Sequence, residues 1–497
     1  MKPSGIARFL PISLVLIFTV FLLAIKIDKP FWGHHDWNSV VYSNIARNYV
    51  RYGYLGTKLA QVTNYDYQEP KNFGYITHYP PLLPILMSLS FHLLGQSEAS
   101  ARLTIIVFSI LLVFFIYKIG KELQSELLGL YAALSLTITP IFLYFGKLPV
   151  HDTIVPAVSV IGFWAYLKYF KTENIKYYFF LVATLVFGGL INWSAYYLVI
   201  ALIYLQLLTK TSKEVKKRIF ALLPISALVF VTQIALVFLA GAKSTESIFS
   251  NLLSRMNPYL TADLYGFTIL KYIKQELLLT KVYYTLPVFL GAVIFVLYFL
   301  FKFLYKRQKL SLAEVIISSL LVYGIIQLVA FSQLSFIHDY MIYYLSPFMA
   351  LAFSYMTFKI LGRFGKSLVF PAVLITIIYF AFLSQLKFTN ALIATDTNKR
   401  GYMVAQLINK ETPSGTMSFI TSGAYKEFQE VFIGYYSDRN VAYGEQLPKG
   451  FDKSYEIVIR PKDHDPLDQK SKQILENKYL RYEDENFIWY KLKYKKS

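Results

Sequence analysis

The sequence predicts a polytopic α-helical membrane protein with a small α/β domain at its C-terminal end, and three observations predict it. Hydrophobic residues make up 55% of the 497 and charged residues only 16%, where soluble domains carry about 25% charged. Many windows reach the roughly 20 apolar residues needed to cross a hydrocarbon core. The cationic runs "KTSKEVKKR" (Lys210 to Arg218), "KFLYKRQK" (Lys302 to Lys309) and "KILGRFGK" (Lys359 to Lys366) sit between apolar stretches, as cytoplasmic loops do. That placement accounts for much of the net charge of +20 and argues against a nucleic-acid partner. There is no cysteine, hence no disulfide.

Taken in order, the apolar spans number eleven: about 8–26, 99–118, 127–146, 153–170, 177–191, 194–208, 219–240, 285–304, 312–332, 342–360 and 367–385. The first, within "MKPSGIARFLPISLVLIFTVFLLAIKI", starts basic like a signal peptide. Its core is too long, and no small-residue cleavage site follows, so it is expected to stay as a helix with a cytoplasmic N-terminus. "YPPLLPILMSLSFHLL" (Tyr79 to Leu94) is apolar but short. Counting it as a span would turn the basic loops outward, so it is placed on, or dipping into, the outer face.

A transmembrane domain, 1–385, is thereby expected to expose two large outer loops, 27–98 and 241–284, and short outer loops at 147–152 and 333–341. In 241–284, apolar and charged residues mix at helical spacing, as in interfacial amphipathic helices. Residues 386–497 change composition. "GTMSFITS", "SYEIVIRP" and "NFIWYKLKY" read as strands, and "GYMVAQLINK" and "DQKSKQILENKY" as helices, giving an extracytoplasmic α/β domain. The expected location is the cell (inner) membrane, multi-pass, with the C-terminus outside.

Ionisable groups near a membrane are costly and usually functional. On the expected outer side they form a short set: His34, His35 and Asp36 after the first span; His78 before Pro80-Pro81; Lys147, His151 and Asp152 in "KLPVHDT"; His338 and Asp339 in "SFIHDYMIYYLSP". A carboxylate beside imidazoles suits a general base or a divalent metal. Taken singly, each has a plainer use. Asp152 serves equally as an N-cap for a helix beginning at Thr153, and a lone interfacial His is more often a hydrogen-bonded surface residue.

The order of these features resembles the family 39 glycosyltransferases, the bacterial and archaeal relatives of protein O-mannosyltransferases and of the lipid A aminoarabinose transferase. The resemblance lies in the first 210 residues. An acidic residue follows the first helix and precedes "YSNIARNYVRYGYLGT". Then come "HYPPLLPILMSLSFHLLGQSEASARL", with its His-x-Pro-Pro-Leu and Ser-Glu-x-x-x-Arg-Leu phrases, and "LPVHDTIVPAVSVIGFWAYLKYF". It implies the C-type glycosyltransferase (GT-C) fold and transfer of a sugar from a polyprenyl-phosphate donor to a hydroxyl of a lipid, glycan or protein acceptor at the outer face. It also implies that Asp36 is the catalytic base or acceptor-orienting group, that Asp152 is the second essential carboxylate, and that His78 matches a metal-ligand position. Many relatives place Glu after the first-loop Asp. Trp37 stands there instead, so any role of that Glu is vacant or filled by His34 or His35; His78 and His35 are the metal candidates.

A departing lipid phosphate needs a cation, and Lys147, Arg255 and Lys281 are on the expected side, with Arg255 the first choice beside Lys147. Arg255 is equally readable as a snorkelling interfacial arginine. Tyr259, Tyr265 and Tyr283-Tyr284 suit sugar stacking, although Tyr is common at any interface. The competing classes are a secondary transporter or flippase, for which inverted repeats and broken midplane helices are not evident, and a surface-polysaccharide polymerase or ligase. An oligosaccharyltransferase shares the fold but carries a Trp-Trp-Asp-Tyr-Gly signature absent here.

Overall fold

The computed structural model describes residues 10–240, 245–257, 266–362, 369–413, 417–421, 429–439, 441–444, 447, 455–462 and 467–493. These fall into two compact units. One holds residues up to Asp28, the short piece Lys58–Ala60, and Ile76–Ile393; the other holds Lys29–Thr57, Gln61–Tyr75 and the chain from Ala394.

The first unit is helical. Among the described residues, seven helices are long and apolar enough to cross a membrane: Glu98–Leu123, His151–Thr172, Lys213–Leu239, Leu286–Tyr305, Leu312–Ala330, Asp339–Leu361 and Phe370–Glu411, the last continuing into the second unit. Leu10–Ala24, Leu82–Leu94, Glu126–Thr137, Ile175–Gly189 and Trp193–Leu208 are apolar but shorter. The predicted spans fall on the seven and on four of the short ones. The remaining short helix, Leu82–Leu94, is the segment assigned to the outer face; thirteen residues extend only about 20 Å, less than a hydrocarbon core of about 30 Å. Small residues set the closest packing: a Cβ at Gly120 would lie 2.7 Å from Gly129 Cα, so only hydrogen at these positions lets helices 98–123 and 126–137 approach this closely.

Charge is segregated along the helices. Helix 151–172 begins at His151 and Asp152 and ends with Lys168 and Lys171, both paired with Glu122 at 3.0 and 2.9 Å. Helix 339–361 likewise begins at Asp339 and carries Lys359 in its last turn. The buried Glu314 at the head of helix 312–330 accepts from Lys302 Nζ and the Tyr298 hydroxyl, both at 2.7 Å, so this intramembrane acid is compensated. The predicted amphipathic stretch resolves into helices Thr245–Met256 and Ile269–Tyr283.

Glu276, on the second of these, is 8% exposed, and neither carboxyl oxygen has a hydrogen-bond partner. Burial, aided by the negative charge of Asp339, pushes its carboxyl from 4.5 up to about 8. Because the folded value lies above the unfolded one, the native state holds a proton that the unfolded chain has lost. Stability is therefore expected to fall as pH rises from 4.5 to about 8. Thermal melts in detergent should show this decline in wild type and a flatter profile in Glu276→Gln; identical slopes would count against it.

Among the described residues of the second unit, five strands form one sheet: β1 (Met417–Thr421), β2 (Val441–Gly444), β3 (Tyr455–Pro461), β4 (Tyr479–Glu483) and β5 (Phe487–Leu492), in the order β2-β1-β3-β5-β4. β1 runs parallel to β2 and β3; the β3–β5 and β5–β4 pairs are antiparallel. Period-2 alternation sends Ile457 and Ile459 to one face, against Val404, Leu407 and Ile408 of helix 399–411 and Ile433, while Val458 meets Leu475 on the other. The predicted strands and helices are all present; β2, β4 and helix Glu430–Ser437 are additional. Helix Asp36–Tyr52 of the first loop also belongs to this unit. Arg47 and Arg51 reach Asp438 at 3.0 and 2.7 Å, and the Phe31 N–H donates to the Tyr436 hydroxyl at 2.6 Å.

Candidate active site

The first unit carries a cavity of about 130 Å³ lined by His78, Tyr79, Asp152, Asn192, Trp193, Ser194, Tyr197, Ile248, Leu252, Arg255, Gln327, Phe331 and Leu334. That volume matches a single six-membered ring. The helix ends explain the grouping. Asp152 stands in the first turn of helix 151–172. Asn192 to Ser194 form the turn between helices 175–189 and 197–208, and Gln327 lies in the last turn of helix 312–330. Arg255 is in the last turn of helix 245–256.

Asp152 is 4% exposed. Its Oδ1 accepts from the Tyr344 hydroxyl at 2.8 Å and from Asn192 Nδ2 at 3.2 Å. The N-cap reading fails: the cap residue is Val150, with no side-chain bond, and Asp152 sits inside the helix. Its charge does favour the positive end of the helix dipole, but its hydrogen bonds go across to other segments. Arg255 donates to the Tyr79 hydroxyl at 2.6 Å, and its guanidinium stands 5.1 Å from the centre of that ring. The His151 ring also stacks on Tyr79, with ring centroids 4.6 Å apart. Burial, reinforced by the charge of Arg255, pushes the His78 imidazole down to about 4, so His78 is neutral near pH 7 and able to accept a hydrogen bond or ligate a cation.

The structure thus brings Asp152, His78 and Arg255 to one cavity, with His151 stacked on Tyr79. Lys147 is not among the lining residues; it is buried and donates to the Ile25 carbonyl. Lys281 is exposed. Asp339 accepts from the Tyr283 hydroxyl at 2.6 Å, and the His338 ring lies 5.2 Å from that of Tyr340; neither lines this cavity. Tyr284 is fully buried and donates to the Ile342 carbonyl at 2.7 Å, which leaves no face for a sugar. Tyr259 and Tyr265 lie outside the described residues.

The remaining candidates belong to the second unit. Asp36, 4% exposed, opens helix 36–52. Its Oδ2 accepts from the Gly33 N–H at 2.7 Å and its Oδ1 from Ser39 Oγ at 2.9 Å. His35 precedes it at φ 59°, a left-handed conformation uncommon for residues other than Gly, Asn, Asp and His. The His34 and His35 rings are 4.1 Å apart. Among described residues of the first unit, no three His, Asp or Glu ligand atoms converge, and His78 lies beside a guanidinium. The donor chemistry for a divalent ion is therefore better at the paired imidazoles of His34 and His35 than at His78.

Sequence reasoning missed Asn192, Ser194, Gln327 and Tyr344 as site residues. A signal existed for two of them: Asn192 interrupts two apolar spans, and Gln327 places an amide inside one.

The helical unit, with a carboxylate and a guanidinium in its cavity, has the C-type glycosyltransferase fold, and the chain also forms a small α/β sheet. Residues 78–237 match the family model described as dolichyl-phosphate-mannose-protein mannosyltransferase, over the motif region that carries the resemblance to family 39. No curated protein gives a significant sequence match. Among solved structures, ArnT from Cupriavidus metallidurans bound to undecaprenyl phosphate is similar with a TM-score of 0.63 at 12% identity, over 96% of this chain and 97% of that one. The oligosaccharyltransferase of Archaeoglobus fulgidus in complex with Zn and sulfate gives 0.59 at 14% identity, over 91% and 68%. Arabinofuranosyltransferase AftD from Mycobacteria gives 0.54 at 12%, over 100% and 40%.

Proposed function

We propose that this chain is a membrane glycosyltransferase that moves a sugar from a polyprenyl-phosphate donor to an acceptor hydroxyl at the outer face of the cell membrane. One observation carries the proposal: an apolar-walled cavity that presents a carboxylate, Asp152, and a guanidinium, Arg255, at helix ends opposite the lysine-rich ones. In the reaction the bond from the anomeric carbon to the phosphate oxygen breaks and a bond to the acceptor oxygen forms. The acceptor proton passes to a carboxylate, and the lipid phosphate leaves as an anion. Arg255 meets that anion; Lys147, already engaged by a backbone carbonyl, is the weaker choice. Asp152 faces the positive charge that develops on the sugar ring. Asp36 takes the acceptor proton. His34 and His35 would hold a divalent ion, which when bound supplies positive charge to an anionic group. The similarity to a structure holding undecaprenyl phosphate and to one holding Zn supports this reading.

Membranes containing the protein, given radiolabelled polyprenyl-phosphate sugars, are expected to consume one of them, and less of it when a chelator is added. No consumption of any donor would overturn the proposal; full activity in the chelator would remove the metal from it.

The positive-inside rule puts Lys210 to Arg218 in the cytoplasm, hence the cavity, the large loops and the domain 386–497 outside. A tag after Ser497 is expected to be reachable from outside intact cells, and one near Lys213 to be protected. The reverse labelling would invert this orientation.

A further inference from the structure

Ser194, Tyr344 and Asp152 form a line of buried polar groups with one direction. The Tyr344 hydroxyl, fully buried, is 2.8 Å from Asp152 Oδ1 and 2.5 Å from Ser194 Oγ. A carboxylate oxygen can only accept, so the single phenolic proton goes to Asp152. Ser194 must then donate to the tyrosine oxygen. Asn192 is oriented by the same turn. Its side-chain oxygen caps the Ser194 N–H at 3.1 Å, which turns its Nδ2 towards Asp152 Oδ1 at 3.2 Å. Both donors fall on one carboxylate oxygen. Oδ2 receives neither of these two donors, and Asp152 lines the cavity.

We infer that Tyr344, backed by Ser194 and Asn192, is a positioning residue that holds Asp152 by Oδ1 and so presents Oδ2 to the reacting sugar. This rests on the assignment of the cavity to the donor sugar. The physics is that of a group fixed before the reaction. A carboxylate on a short side chain rotates about χ2 between broad wells, and an oxygen that swings away from the ring loses its hold on developing charge. Two donors on one oxygen select a single orientation. The arrangement joins three separate stretches of sequence, 151–152, 192–194 and 344, so no local motif announces it.

The test uses the full-length chain in detergent with the radiolabelled polyprenyl-phosphate sugar that the wild type consumes. Tyr344→Phe keeps the ring and removes only the hydroxyl. Losing a hydrogen bond to a charged group is expected to lower kcat about 10- to 100-fold, with KM for the donor little changed, because the bond acts on the transition state. Ser194→Ala should lower kcat by less. The double variant should match Tyr344→Phe alone, since Ser194 acts only through the tyrosine. Tyr323→Phe, which removes another buried hydroxyl whose ring lies 5.8 Å from that of Tyr344, should turn over like wild type. A wild-type kcat in Tyr344→Phe, with Asp152→Asn impaired, would overturn the positioning role alone. So would equal losses in Tyr344→Phe and Tyr323→Phe, or additive losses in the double variant. A wild-type kcat in Asp152→Asn would instead overturn the donor-cavity assignment. Should Tyr344→Phe not fold, Ser194→Ala decides: an unchanged kcat there overturns the inference.

Discussion

Asp152→Asn is expected to fold like wild type and to lose about 10²–10³-fold in kcat, the size found when a charge-stabilising group is removed from an active site. The hydrogen bonds explain why folding should survive. Tyr344 and Asn192 both donate to Oδ1, so the amide oxygen of the new side chain takes that place and keeps both bonds. The amide nitrogen then replaces Oδ2. At the cavity a negative oxygen becomes a neutral donor pair, which no longer favours positive charge on the sugar. Turnover in detergent, compared with melting temperature and yield, separates the two effects. A folded Asp152→Asn with wild-type turnover would show that the carboxylate is only an interhelical tie.

Much of the helical unit was legible because the bilayer makes unusual demands: long apolar runs are hard to hide. The turn at 192–194 was visible as a polar break, yet nothing local said that Asn192 would face Asp152, forty residues earlier in the chain. Tyr344 was harder still. It stands among Tyr340, Tyr343 and the apolar residues of "DYMIYYLSP", and only the packing of helices 151–172 and 339–361 selects one tyrosine from three. Arg255 shows the opposite case. Its sequence context fitted interfacial snorkelling as well as phosphate binding, and only the fold places it against Tyr79 at the cavity. In the α/β unit, β3 and β5 were readable from dense β-branched and aromatic residues. β2, "VAYG", and β4, "YLRYE", are short edge strands that become strands through their neighbours.

Asp36→Asn is the second large expectation, a fall in turnover of about 10²–10⁴-fold, the usual contribution of general-base catalysis. Here the local structure needs closer accounting, because both carboxylate oxygens are already used, one by the Gly33 N–H and one by Ser39 Oγ. An amide satisfies both. Its oxygen accepts from Gly33, and its nitrogen donates to Ser39, whose hydroxyl can reverse and accept. The turn that starts helix 36–52 should therefore persist, and the melting temperature should stay near that of wild type, while the charge and the proton-accepting capacity are gone. Asp396→Asn, also in the second unit and outside the proposed machinery, should match wild type in both rate and stability. A destabilised Asp36→Asn would point to a structural tie between residues 33 and 39, and Ser39→Ala would then share its loss of stability. A stable Asp36→Asn that transfers sugar at the wild-type rate would remove Asp36 from the chemistry and leave Asp152 as the carboxylate through which this enzyme must act.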